Sequence, residues 1–183
     1  MNILNSKAGI WSIEVGTMND IDELEKLYND LNDYFQSGIN YPGWLRDIYP
    51  VRETAETGAK EKNLFLLRVG DKIAGSIILN HKQEEAYRQA VWGLEADDSQ
   101  IIVIHTLAIH PTFMKRGISQ KLMSFAKDYA MQEAVKSIRL DVAIQNTPAI
   151  SLYEKCGYNY IATVDLGLEH EHLKWFRLYE LVL

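Results

Sequence analysis

The chain has 183 residues, 47% hydrophobic and 24% charged, with 19 basic against 25 acidic side chains and a net charge of −6. This size and mix suit one compact domain with a sizeable core, neither disordered nor fibrous, and the acidic balance argues against non-specific binding to nucleic acid or an anionic membrane surface. The longest apolar runs fall far short of the roughly 20 residues a membrane helix needs, no basic-then-apolar leader opens the chain, and the single cysteine, Cys156, cannot form an internal disulfide. The expected setting is therefore cytoplasmic.

No repeat, low-complexity tract or linker interrupts the chain, so a single domain over 1–183 is expected. Trp11, Ile13 and Val15 alternate with Ser12 and Glu14, the pattern of a half-buried strand. Ile21, Leu24, Leu27, Tyr28, Leu31 and Phe35 follow helical spacing, with Asp20 and Glu23 as the expected capping pair and an end near Gly38. The aromatic-rich NYPGWLRDIYP, with two prolines and a glycine, reads as an irregular loop, and 54–62 as a charged helix. Residues 64–69 and 72–80, separated by Gly70 and Asp71, make a hairpin.

After a polar insertion at 81–100, the run IIVIHTLAI is almost wholly apolar, as expected of a central strand covered on both faces. Ile118, Leu122, Phe125, Ala126 and Tyr129 give another helical stripe, and Ile138, Leu140, Val142 and Ile144 another alternating strand. Strand, helix and strand here predict a crossover between parallel strands. Thr147 as cap, Pro148 in the first turn and Gly157 after the end predict a short helix over 148–156. Strands near 158–165 and 174–183 complete the order β-α-α-β-β-β-α-β-α-β-β, an α/β layered fold with a central mixed sheet and helices on both faces.

The strand ending at Ile109 leads through Pro111 and Gly117 into an amphipathic helix, and Lys115 and Arg116 stand at its entrance. Helix-entrance N–H groups lack intrahelical partners and favour negative charge, so this turn suits a phosphate. Gly117 permits a positive φ or a close backbone approach. The window MKRGIS, 114–119, resembles the pyrophosphate loop Gln/Arg-x-x-Gly-x-Gly/Ala of the GNAT superfamily of N-acetyltransferases, matching at Gly117 and departing at Met114 and Ser119. Downstream, Asn146, Ala149, Tyr153, Gly157 and Tyr158 keep the spacing of that family's Asn-x-x-Ala-x-x-x-Tyr-x-x-x-Gly-Phe/Tyr. The resemblance is strongest over 101–183.

It implies acetyl-CoA as cosubstrate and direct acetyl transfer to a primary amine of a small molecule or peptide. It further implies a central strand that splays from its parallel neighbour, with Leu107, Ala108 and Ile109 offering backbone groups to the pantetheine arm. Met114, Lys115, Arg116, Gly117, Ile118 and Ser119 would hold the pyrophosphate and Asn146 would assist. Tyr153 would touch the cofactor and protonate the leaving thiolate. Asn146 alternatively caps the short helix. The alternative to catalysis is a non-catalytic domain of the same fold that binds acyl-CoA or another protein.

The attacking amine must be neutral, and His105 is the leading candidate base because its ordinary pKa lies near neutrality. Glu84 and Glu85 are rivals acting through water. Trp44, Tyr41, Tyr49, Tyr87 and Trp92 are candidate walls of an acceptor pocket. His110 is expected to be exposed. Cys156 has no activating base beside it in sequence, so an acyl-cysteine route is not favoured. His170, Glu171 and His172 make too thin a ligand set for a metal, and none is expected. A monomer or homodimer fits equally.

Overall fold

The computed structural model describes residues 2–5, 11–168 and 173–183. The strands are β1 (Asn2–Asn5), β2 (Trp11–Val15), β3 (Leu64–Val69), β4 (Lys72–Asn80), β5 (Ile101–Ile109), β6 (Ser137–Ala143), β7 (Asn159–Asp165) and β8 (Trp175–Val182). The helices are α1 (Ile21–Gln36), α2 (Arg52–Lys60), α3 (Ile118–Gln132) and α4 (Thr147–Lys155). Apart from β1, which sequence periodicity did not indicate, the order is the expected one, and the sheet is mixed as expected. Four residues are too few to display a period.

The chain forms two compact units, each woven from separate segments. One comprises Met1–Asn40, Trp44–Leu79 and His105–Leu122, and the other Tyr41–Gly43, Asn80–Ile104 and Met123–Leu183. In the first unit β1, β2, β3 and β4 pair antiparallel in sequence order. Ile21, Leu24, Leu27, Tyr28 and Leu31 of α1 and Ala55 and Ala59 of α2 pack on Leu64, Leu66, Ile78 and Ala108. The helical stripe and the strand alternation thus close over one apolar layer. Arg68 on β3 ties this layer to its rim, donating to Glu14 at 2.6 Å, Asp20 at 2.6 Å and Glu23 at 2.9 Å. Gly75 lets the end of β5 come close to β4: a Cβ there would stand 2.9 Å from the Ala108 carbonyl and 2.8 Å from Ile109 Cδ1.

The capping at α1 differs from expectation. Thr17, in extended conformation, and Asp20 form the reciprocal cap around a short 3-10 turn, Met18–Asp20, that precedes the helix. Glu23 is drawn instead to Arg68 and to the Ile73 N–H, at 2.7 Å.

In the second unit β5 pairs parallel with β6 over Ile101, Ile102 and Val103, as the crossover requires, and β6 pairs antiparallel with β8, which pairs with β7. Neighbours on β8 face opposite ways. Leu178 joins Tyr87, Ile101, Val103 and Val164 under the 81–100 insertion, whereas Tyr179 meets Tyr153 of α4, ring centroids 6.4 Å apart. The insertion is therefore not merely solvated surface. Ala86 and Tyr87 are buried, at 6% and 1% exposure, and Glu84 and Glu85 are exposed.

Candidate active site

In the first unit, β5 ends in an irregular stretch that begins inside the strand. Thr106 takes φ 47°, a left-handed conformation that is costly for a β-branched residue. Its hydroxyl is hydrogen-bonded to the Tyr49 hydroxyl. The Tyr49 ring packs edge-on to Trp44, centroids 5.5 Å apart, and Asn32 Nδ2 reaches the Tyr49 and Pro50 carbonyls at 3.4 Å. Trp44 and Tyr49 thus anchor the early loop and hold the break in β5. His105 precedes that break and is half-buried rather than enclosed. Beyond it Leu107, Ala108 and Ile109 continue the strand, with His110 N–H donating to the Ala74 carbonyl at 3.0 Å.

His110 then starts the turn and is half-buried, contrary to expectation. Its Nδ1 accepts from the Thr112 N–H at 3.2 Å, and Nε2 lies 3.5 Å from Asp30 Oδ2. Lys115 and Gly117 both have positive φ, 60° and 75°. After the Met114 N–H, which donates to the Pro111 carbonyl at 3.2 Å, the next N–H with a carbonyl partner is that of Lys121, on Gly117 at 3.1 Å. The N–H groups of Ile118, Ser119 and Gln120 precede the helical ladder and have no carbonyl partner among the described residues. Lys115 and Arg116 are exposed, the latter with its guanidinium 5.6 Å from the Phe113 ring centroid. Met114 does not face this entrance but packs against the apolar core of the unit. The turn consequently presents backbone donors and two cations, the donor set an anionic phosphate requires.

In the second unit Asn146, not Thr147, caps α4, its Oδ1 accepting from the Ala149 N–H at 3.4 Å. Tyr153 on α4 is 7% exposed and stands between Tyr158 and Tyr179, at ring-centroid distances of 6.2 and 6.4 Å. Burial raises the pKa of the Tyr158 phenol, and burial likewise raises that of Tyr179, which donates to Glu154 at 2.8 Å. Cys156 is half-buried, and burial pushes its thiol up, away from thiolate chemistry. His170, Glu171 and His172 lie outside the described residues.

On the opposite face of this unit's strands is a cluster that sequence reasoning missed. The Tyr87 hydroxyl donates to Asp141 Oδ2 at 2.7 Å. The Asp141 carboxyl is enclosed by protein atoms although the residue keeps some exposed surface, and this burial raises its pKa from 3.8 to about 6. The Tyr87 hydrogen bond lowers it in part, and Glu84 works the other way. Trp92, another expected pocket wall in this unit, donates Nε1–H to the Tyr87 carbonyl at 2.9 Å and stacks under Arg139, 4.0 Å from the guanidinium. The remaining wall candidate, Tyr41, is half-buried.

A mixed α/β sheet with a central strand that feeds a helix entrance of backbone donors and two cations defines an α/β fold with an anion-ready turn, and its likeness to known proteins makes the class specific. The sequence model of the Acetyltransferase (GNAT) family matches residues 24–158. The chain belongs to that family. It is similar to the streptothricin acetyltransferase of Escherichia coli, 30% identical over 98 residues, covering 54% of this chain and 47% of that protein. Among solved structures it is similar to a GNAT-family acetyltransferase of Listeria monocytogenes, with a TM-score of 0.72, 16% identity and full coverage of both chains. It is also similar to a Salmonella typhimurium protein described as an acetyltransferase and solved with its cofactor acetyl-CoA, at a TM-score of 0.68, 13% identity and 94% coverage of each. The chain spans less than two thirds of the length of the first curated relatives it matches. No helix among the described residues is long and apolar enough to cross a membrane.

Proposed function

We propose that the protein is an N-acetyltransferase that moves the acetyl group of acetyl-CoA directly onto a primary amine. The observation that carries this reading is the β5-to-α3 turn, where consecutive unpartnered N–H groups, two positive-φ residues and two exposed cations coincide with the family's pyrophosphate window. The Salmonella relative's bound acetyl-CoA supports the same cosubstrate. Leu107, Ala108 and Ile109 would receive the pantetheine, and residues 114–119 the pyrophosphate. Met114 contributes its backbone only, since its side chain belongs to the core. Ser119 leaves the entrance open because it is small.

Tyr153, by its place in the family motif, is the residue that returns a proton to the CoA sulfur. Asn146 acts through the cap of the helix that carries Tyr153. His105 remains a candidate for work on the amine. The family match runs through segments of both units, which supports reading 1–183 as one catalytic domain. The acceptor is a small-molecule or peptide amine. The E. coli relative's name points to the small-molecule kind.

Calorimetry with acetyl-CoA followed by a screen of primary amines for CoA release tests the reading. Binding with turnover is expected, and Tyr153→Phe should lower kcat by about 10²- to 10⁴-fold, the usual worth of a positioned acid, with acetyl-CoA affinity retained. Binding without turnover on any amine would instead identify a non-catalytic acyl-CoA-binding domain.

A further inference from the structure

Among the described residues, five that are not glycine have positive φ, and four of them, Asp47, Lys62, Lys115 and Ala134, lie in turns. Thr106 is the fifth; it lies inside a strand and is the one β-branched residue of the set. A left-handed threonine is strained, so something must hold it there. The partner is the Tyr49 hydroxyl, bonded to the Thr106 hydroxyl. That bond also satisfies a polar group on a residue only 7% exposed. Tyr49 is itself fixed from the α1 side. Its N–H donates to the Leu45 carbonyl at 3.0 Å, and Asn32 Nδ2 of α1 reaches its carbonyl at 3.4 Å. Its ring is edge-on to Trp44, and Trp44 is edge-on to Phe35 of α1, centroids 6.3 Å apart. All of these residues belong to the first unit. Tyr49 is thus a strut that runs from α1 to the break in β5.

We infer that Tyr49 is a positioning residue for acetyl-CoA: its hydroxyl holds Thr106 left-handed and so keeps the backbone of Leu107, Ala108 and Ile109 where the pantetheine arm needs it. This rests on the reading above, which gives that stretch to the pantetheine. The dihedrals of one residue set the course of those that follow, and here the course is tightly constrained. Ala108 is fully buried in the apolar layer with α1 and α2, and its carbonyl lies so close over β4 that a Cβ on Gly75 would stand 2.9 Å from it. A Thr106 relaxed to the extended region would redirect the strand out of this fit. The break therefore has a held and a relaxed form, and only the held form presents the 107–109 backbone as described. The apparent affinity for acetyl-CoA is the intrinsic affinity scaled by the held fraction, and the Tyr49 hydroxyl raises that fraction.

The test is calorimetry with acetyl-CoA on the wild type, Tyr49→Phe, Thr106→Val and the double variant Tyr49→Phe/Thr106→Gly, with kcat and KM for acetyl-CoA on any amine the wild type acetylates. Tyr49→Phe keeps the ring and should raise the Kd about 5- to 10-fold, the worth of one hydrogen bond. The same rise should appear in KM, with kcat at saturating acetyl-CoA falling far less, because bound cosubstrate selects the held form. Thr106→Val, which keeps the β-branch and loses the other hydroxyl, should weaken binding at least as much. Thr106→Gly added to Tyr49→Phe should bring the Kd back to within about twofold of the wild type, since glycine takes positive φ without help. If Tyr49→Phe binds acetyl-CoA as tightly as the wild type, the assignment falls and the transferase reading stands. If the glycine does not restore a weakened affinity, Tyr49 does not act through the break and the assignment also falls. If Tyr49→Phe and Thr106→Val both fail to fold, the pair is structural and the assignment is overturned. A wild type that binds acetyl-CoA with the predicted pattern of Kd values but acetylates no amine would sink the transferase reading and leave the assignment standing. A wild type that does not bind acetyl-CoA would overturn both.

Discussion

Asp141 and Arg139 make opposite contributions to stability, and both can be measured without a substrate. The Asp141 carboxyl is held near pKa 6 against an ordinary 3.8, so the folded chain binds this proton more tightly than the unfolded chain. Its stabilising effect is complete below about pH 4 and is lost as pH rises through 6, a change of about 3 kcal/mol at roughly 1.4 kcal/mol per unit. Asp141→Asn, whose amide oxygen can still accept from Tyr87, should therefore unfold at higher urea than the wild type at pH 8. That advantage should vanish by pH 4. Asp30, which Lys26 holds low, gives the reverse trend, with stability lost as pH falls, but it is common to both proteins and cancels in the difference. Glu180 behaves otherwise, because it neutralises Arg139 at side-chain exposures of 2% and 5% and also accepts from Ser137 and Gly93. Glu180→Ala leaves a buried guanidinium unpaired and should cost about 3 to 5 kcal/mol in urea unfolding.

At the scale of elements, what the sequence disclosed depended on how local the cause was. Periodicity located α1, the β3-β4 hairpin, β5, α3 and β6 because each follows from a few consecutive side chains and one apolar face. The cap of α1 was displaced, Thr17 for Asp20, and of the two caps open for α4, Thr147 and Asn146, the structure uses Asn146, because the choice rests on which residue takes the non-helical φ/ψ. The anion-ready turn was readable from Gly117 and its basic neighbours, whereas the Tyr87–Asp141 pair was not, since its partners are 54 residues apart and meet only when the insertion folds over β6 and β8. The fit of β5 against β4 was equally invisible, as it depends on space rather than pattern. Gly75→Ala should lower stability by about 1 to 3 kcal/mol, the range for overpacking, because the new Cβ meets the Ala108 carbonyl. It should also weaken acetyl-CoA binding, because the strand displaced is the one proposed to receive the pantetheine. Asn146→Ala, which removes only the α4 cap, should cost about 1 kcal/mol and leave that affinity unchanged. Calorimetry and urea melts on the two variants separate the effects.

For the whole molecule, the interleaving of the two units determines how a ligand's influence should spread. β5 and α3 each begin in one unit and finish in the other, and Ile101, Ile102 and Val103 are hydrogen-bonded to β6 while the far end of the same strand is tied to β4 through His110. Neither element can lose half its length without leaving buried backbone groups unpaired, which favours unfolding in a single cooperative step. A ligand that binds only the folded chain raises the unfolding free energy of everything in that step, by about 2.7 kcal/mol at one hundred times its Kd. Acetyl-CoA at that concentration should therefore shift the urea midpoint of the entire transition, read alike by tryptophan fluorescence and by far-ultraviolet circular dichroism. Amide exchange should show a second, local effect. Protection should rise most at Ile118, Ser119 and Gln120, whose N–H groups have no carbonyl partner among the described residues and would donate to the oxygens of a bound anion. A global shift without added protection at these three amides would place the cosubstrate elsewhere on the chain. Protection at the turn without any shift in the α4 and β8 amides would mean that the units unfold separately despite the strand and helix they share.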